Sequence, residues 1–90
     1  MDKAVITVVG QDTVGIIALV CTYLSRHKVN VLDISQTIID GFFNMMMIVD
    51  YAKCDEEFSE LVDGLEALGD EIGVRIRCQR EEIFTSMHRV

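Results

Sequence analysis

Apolar and polar positions change period several times along the chain, and each change predicts an element. Residues 3–9, Lys3-Ala4-Val5-Ile6-Thr7-Val8-Val9, are nearly continuous in apolar and β-branched side chains, the pattern of a central strand covered on both faces. Gly10-Gln11-Asp12-Thr13 breaks the run. Asp12 or Thr13 suits the N-cap of a following helix, because a short oxygen side chain accepts from the free first-turn amides. That helix is expected from about Val14 to Lys28, with Arg26-His27-Lys28 at the negative end of its dipole. Two more apolar runs, 29–39 and 42–51, flank Asp40-Gly41. Asp-Gly between such runs is the strongest short hairpin signal, since both turn positions need positive φ. A two-residue turn sets Ile39 opposite Phe42 and Ile38 opposite Phe43. Carried outward, this register gathers Leu32, Ile34, Ile38, Phe43, Met45, Met47 and Val49 on a core face. The second, mixed face takes Val31, Asp33, Ser35, Thr37, Ile39, Phe42, Asn44, Met46 and Ile48.

Phe58, Leu61, Val62, Leu65, Leu68 and Ile72 then recur at helical spacing, which predicts an amphipathic helix from Asp55 to about Ile72. Its other face carries Glu56, Glu57, Glu60, Asp63, Glu66, Asp70 and Glu71, read as solvated surface. Asp55, Glu56 and Glu57 suit the positive helix start. Gly64 lies inside it at a cost of about 1 kcal/mol against Ala, and Gly69 or Gly73 is placed to end it. Residues 74–80 alternate, with Val74, Ile76 and Cys78 inward and Arg75, Arg77 and Gln79 outward. The resulting β-α-β-β-α-β order fits an α+β, ferredoxin-like sandwich: a four-stranded antiparallel sheet with two helices on one face. One domain is expected over 1–80. Residues 81–90 are read as a C-terminal extension in which Ile83, Phe84 and Met87 form one apolar turn.

Composition adds a problem to this picture. The chain has 90 residues, is half hydrophobic, carries a formal charge of -7 and lacks proline and tryptophan. A domain of this size buries only about two-thirds of its unfolded surface, so apolar side chains are in surplus. The first helix needs one buried stripe, supplied by Val14, Ile17, Cys21 and Leu24. Ile16, Leu19, Val20 and Tyr23 are then left for its other side. The outer sheet face adds Val31, Ile39, Phe42, Met46 and Ile48. Ordinary monomers seldom expose such patches, and a homodimer is the simplest cover; the alternative is the C-terminal extension folded over one patch.

The same numbers exclude several classes. No run approaches the roughly 18 apolar residues of a membrane span, and Met1-Asp2-Lys3-Ala4 has no signal-peptide pattern. The acidic balance argues against a nucleic-acid surface. Cys21, Cys54 and Cys78 are odd in number and widely spaced, so neither a disulfide framework nor a zinc knuckle is expected, and a reducing cytoplasm is the simplest home. Cys21 and Cys78 read as buried hydrophobes and Cys54 as exposed. The histidines are His27, in a basic helix end, and His88. No nucleophile elbow or metal-spaced histidine pair is present, so catalytic residues, metal and cofactor are all expected to be none.

One segment carries more information. Gly10-Gln11-Asp12-Thr13-Val14-Gly15 joins the first strand to the first helix. It is not a dinucleotide fingerprint, because Asp12 stands where GxGxxG needs its second glycine. Gly10 suits a turn of unusual φ, and Gly15 a place where something approaches the backbone closely. Helix-start amides suit a carboxylate, and Asp12 suits an ammonium. Together these are the two halves of a site for a free amino acid. Asn30, opening the second strand, is a further amide-type partner. Against this stands the plainer reading, an N-cap with turn and packing glycines.

Gly10-x-Asp12-x-x-Gly15 after an apolar strand, then an apolar helix and Val29-Asn30-Val31-x-Asp33-Ile34, resembles an ACT domain over nearly the whole chain. Val31-Leu32-Asp33-Ile34-Ser35-Gln36-Thr37 followed by Phe43-x-Met45-Met46 is similar to the small stand-alone bacterial ACT proteins. Through them it resembles the ACT halves of the glycine-cleavage-system transcriptional repressor and the N-terminal domain of formyltetrahydrofolate deformylase. The resemblance implies ligand-responsive regulation rather than catalysis, with paired domains and an amino acid bound where the first loop meets a neighbouring chain. By position it assigns Gly10, Asp12 and Gly15 to that loop and Asn30 to the residue opening the second strand; Thr13 lies within the loop. Many ACT domains serve only to assemble, so the alternative is a ligand-free protein–protein interaction module. With no catalytic or DNA-binding domain beside it, the expected output is a partner protein or ligand buffering.

Overall fold

At the Asp40-Gly41 turn φ is 52° at Asp40 and 78° at Gly41, the positive values that a two-residue hairpin of this hand requires. The register follows, with Ile39 opposite Phe42 and Ile38 opposite Phe43. A computed structural model gives the fold for residues 1–11 and 14–82. Its elements are β1 (Lys3–Gln11), α1 (Ile16–Arg26), β2 (Asn30–Ile39), β3 (Phe42–Asp50), α2 (Phe58–Ile72) and β4 (Val74–Arg80). The sheet order is β2-β3-β1-β4 and every neighbouring pair is antiparallel. This is the expected ferredoxin-like sandwich. The apolar turn expected at Ile83, Phe84 and Met87 lies outside the described residues. Among the described residues no helix is long and apolar enough to cross a membrane.

The core forms where the helix-facing side chains of three strands meet the two helices. Ala4, Ile6 and Val8 of β1, Phe43, Met45, Met47 and Val49 of β3, and Val74, Ile76 and Cys78 of β4 are buried. They form one cluster with Ile16, Val20 and Leu24 of α1 and Leu61 and Leu65 of α2. The polar face of α2 is exposed, as its pattern predicts. Gly64 has a packing reason that its propensity hides: a Cβ there would collide with the hydroxyl of Tyr23. The helix runs through Gly69 and ends at Gly73, whose φ is 81°.

Four expectations are corrected. First, α1 begins at Ile16 rather than Val14, and its buried stripe is Ile16, Val20 and Leu24, one turn apart, with Ile17 and Cys21 half-buried beside it. Val14 precedes the helix and is fully exposed. Second, α2 begins at Phe58, because the Glu57 N–H donates to Glu60 Oε1 at 3.1 Å and caps the helix there. Asp55 and Glu56 therefore stand before the helix, not in its first turn. Third, the pairing jumps from Val31–Val49 to Asp33–Ile48. This bulge at Leu32 moves Val31 to the helix side, where it packs half-buried against the core.

Fourth, the outer half of the predicted core face is uncovered. Ile34 and Ile38 lie opposite buried Met47 and Phe43, yet Ile38 is 56% exposed and every residue of β2 from Leu32 to Ile39 is exposed. α1 is 11 residues long, about 16 Å, against the roughly 33 Å of a ten-residue strand. Its buried stripe serves the core over β1 and β3. The edge strand beyond is left bare on both faces, with Ile39 and Phe42 exposed on the outer side beside Met46 and Val9.

Gly69 tests the seat of α2 on β4. A Cβ there would lie 2.7 Å from the Val74 carbonyl oxygen and 3.2 Å from the Ile76 nitrogen, both backbone atoms that cannot rotate away. Gly69→Ala is expected to destabilise the protein by about 1–3 kcal/mol, read as a lower urea midpoint at unchanged m-value.

Candidate functional site

The two loop glycines exchange the roles expected of them. Gly10 has ordinary strand geometry and lies between Phe43 and Val74. A Cβ on it would stand 2.7 Å from Val74 Cγ1 and 3.0 Å from Val74 Cβ, so close packing of β1 on β4 demands glycine. Gly15 is the position with positive φ, 87°, where any other L-residue is strained by about 1–2 kcal/mol. A Cβ there would meet nothing within 4 Å. Gly15, rather than Asp12 or Thr13, is the N-cap of α1, and its carbonyl accepts from the Leu19 N–H at 3.0 Å. A glycine cap brings no side-chain acceptor to the first-turn amides, and the first turn of α1 holds no acidic residue. Asp12 and Thr13 lie outside the described residues.

Asn30 lies at the other end of the molecule. It opens β2 opposite Asp50, which on its far side pairs with Lys3. The loop instead leaves β1 at Gln11, opposite Phe42. Phe42 and Asp50 are the two ends of β3, separated by about 26 Å of strand. The structure thus brings Gly10 and Gly15 to one end of the sheet and Asn30 to the other. Asn30 lines a surface groove of about 430 Å³ with Cys21, Ser25, Lys28, Val29 and Val31. Beside it, Asp50 is fixed by the Ala52 N–H at 3.0 Å and the Asp2 N–H at 3.2 Å. These bonds, that from Ala52 foremost, hold its carboxyl below the usual carboxylate range.

The thiols do not form a nucleophilic site. Burial pushes the Cys78 thiol up to about 12, so it is a protonated core side chain at neutral pH. Cys21 and Cys54 are half-buried. Cys54 had been expected to be exposed; its N–H donates to the Tyr51 carbonyl at 3.0 Å, and the turn folds its side chain onto the core. Sequence reasoning missed the bare helix-side row of β2, because periodicity marks a face as apolar without saying whether anything covers it.

Residues 2–79 match the ACT domain family. The UPF0237 protein of Bifidobacterium longum is 79% identical over 90 residues, which is 100% of both chains. The ACT domain protein from Streptococcus pneumoniae has a TM-score of 0.82 at 40% identity, covering 92% of this chain and 93% of that one. A formyltetrahydrofolate deformylase from Pseudomonas syringae pv. tomato shares the fold at 18% identity with a TM-score of 0.80. That match covers 89% of this chain and 28% of the deformylase.

The environments of the three cysteines predict their order of reaction. At pH 8, alkylation of the native protein is expected to label Cys21 and Cys54 first. Cys78 should be modified only on unfolding, because both access and thiolate are lacking. Mass spectrometry of the time course would show fast labelling of Cys78 if this were wrong.

Proposed function

The chain belongs to the ACT domain family, whose members are typically regulatory, ligand-binding modules, and on that premise we propose that it acts as a homodimeric sensor of a free amino acid. The observation that carries this reading is the separation of the Gly10–Gly15 loop from Asn30 along β3. A small molecule cannot span the roughly 26 Å between them, so within one protomer the two parts never share a ligand. Antiparallel pairing of two β2 edges about a two-fold axis reverses one chain against the other. The partner's Asn30 then comes to the loop end of the first protomer.

Two further observations support the same arrangement. β2 has an unpaired edge, the usual template for a strand from another chain. Its exposed Leu32, Ile34 and Ile38 are the surface that such pairing removes from water. The chemistry of the combined site fits an amino acid. The first-turn amides of α1 favour the carboxylate, Asp12 offers a counter-charge for the ammonium, and the partner's Asn30 donates and accepts through its amide. Thr13 adds a hydroxyl within the loop. Binding at a subunit boundary changes the stability and geometry of the dimer, and that change is the signal passed to a protein partner.

Light scattering is expected to give a dimer at micromolar concentration. Ile34→Lys, on an exposed edge position, should give a folded monomer by far-UV circular dichroism. A monomeric wild-type protein would overturn the two-chain site.

A thermal-shift panel of the common amino acids at millimolar concentration should stabilise the protein with one or a few of them. The gain is about 2.7 kcal/mol at a hundredfold excess over Kd. Asp12→Ala and Asn30→Ala should each abolish the shift without unfolding the chain. Mixing the two variants should restore it, because each mixed dimer keeps one intact site. A silent panel with an intact dimer would leave the ligand-free assembly reading in its place.

A further inference from the structure

We propose that His27, Asp55 and Glu56 form a binding site for a divalent cation of the zinc class, at the junction of α1 with the segment leading into α2. His27 follows the last residue of α1 and caps it. Its carbonyl accepts from the Asp55 N–H at 3.2 Å, which ties the two segments together through the backbone. The imidazole packs against the Tyr23 ring with centroids 4.5 Å apart, so its direction is set. On the other side, the cap formed by Glu57 and Glu60 fixes where α2 begins and leaves Asp55 and Glu56 just ahead of it.

Both carboxylates converge on a single atom. His27 Nδ1 lies 3.0 Å from Asp55 Oδ1 and 3.5 Å from Glu56 Oε1, and the three donor atoms lie within 4.8 Å of one another. One proton on Nδ1 makes one good hydrogen bond, and Asp55 has the geometry for it. Glu56 Oε1 is shielded from solvent and has no hydrogen-bond partner among the described residues. A buried carboxylate oxygen without a donor is expensive. A cation resolves the shortage, since it engages a lone pair of all three atoms at once and offsets two adjacent negative charges.

The spacing suits such an ion. With metal–ligand bonds of about 2.0–2.1 Å, neighbouring donors around a tetrahedral ion stand about 3.3 Å apart. The two observed distances from Nδ1 bracket that value, and the third edge is no longer than 4.8 Å. One imidazole nitrogen with two carboxylate oxygens favours a borderline transition metal over calcium or magnesium, which take larger or all-oxygen shells. His27 and Asp55 remain partly exposed, so water completes the coordination. Binding uses the neutral tautomer that carries its proton on Nε2 and leaves the Nδ1 lone pair to the ion. The site is complete within one protomer and independent of the loop. It clamps the end of α1 to the start of α2, three residues ahead of Asn30.

Isothermal titration of the full chain with zinc chloride tests this directly. One saturable equivalent per chain is expected, and Glu56→Gln and His27→Gln should each weaken it roughly tenfold or more. Cobalt(II) should give visible ligand-field bands with no thiolate charge-transfer band. Circular dichroism establishes that each variant is folded. If His27→Gln fails to fold, Glu56→Gln, which keeps the size of the side chain, decides alone. Absence of saturable uptake, undiminished affinity in Glu56→Gln, or a thiolate band implicating Cys54 would each overturn the proposal.

Discussion

The burial of β1 and β3 against the two helices is the interaction on which the rest of this molecule depends. Ile6, Val8, Met47 and Val49 from the sheet meet Val20, Leu24, Leu61 and Leu65 from the helices, and all are inaccessible to solvent. β1, like β3, is paired on both sides, so both of its ends are held by the sheet. One end delivers the loop to α1, and the other lies beside the start of β2 across Asp50. The separation of the Gly10–Gly15 loop from Asn30 is thus a consequence of core packing.

The same packing decides where the surplus of apolar side chains goes. Two helices of modest length satisfy β1, β3 and β4, and β2 is left as an uncovered edge. An isolated protomer would keep Ile34, Ile38, Ile39 and Phe42 in water beside unpaired strand amides. Pairing of that edge with a second chain, as proposed, would bury apolar area and complete hydrogen bonds together. Much of the negative charge is segregated from this edge. Glu57, Glu60, Asp63, Glu66, Asp70 and Glu71 are exposed and lie on or next to α2, whereas β2 carries one acid, the exposed Asp33. Glu56 is the acid that departs from the pattern, turned inward toward His27 by the position of the helix cap.

Much of this was legible in the residues. The six elements, their order, the hairpin register and the solvent face of α2 all follow from periodicity and turn chemistry, because these are local properties with strong steric or solvation penalties for error. The limits of local reasoning show at the joints. Asp12 and Thr13 are good capping residues by type, yet Gly15 caps α1. Asp55 and Glu56 are good first-turn residues, yet a cap two residues later excludes them. At α2 the reciprocal bonds of Glu57 and Glu60 set the start, and at α1 the positive φ of Gly15 does.

The sequence by itself therefore determined the fold class and the presence of more apolar surface than one small chain hides. Only the tertiary structure decided that Gly10 is needed for its contact with Val74 while Gly15 is needed for its φ. It also decided that the β2 part of the predicted core face is bare, and that His27 meets Asp55 and Glu56. The physical reason is common to all three. Periodicity reports which side of an element is apolar, but contact between residues distant in the chain depends on where whole elements come to rest, and that is fixed by the shared core.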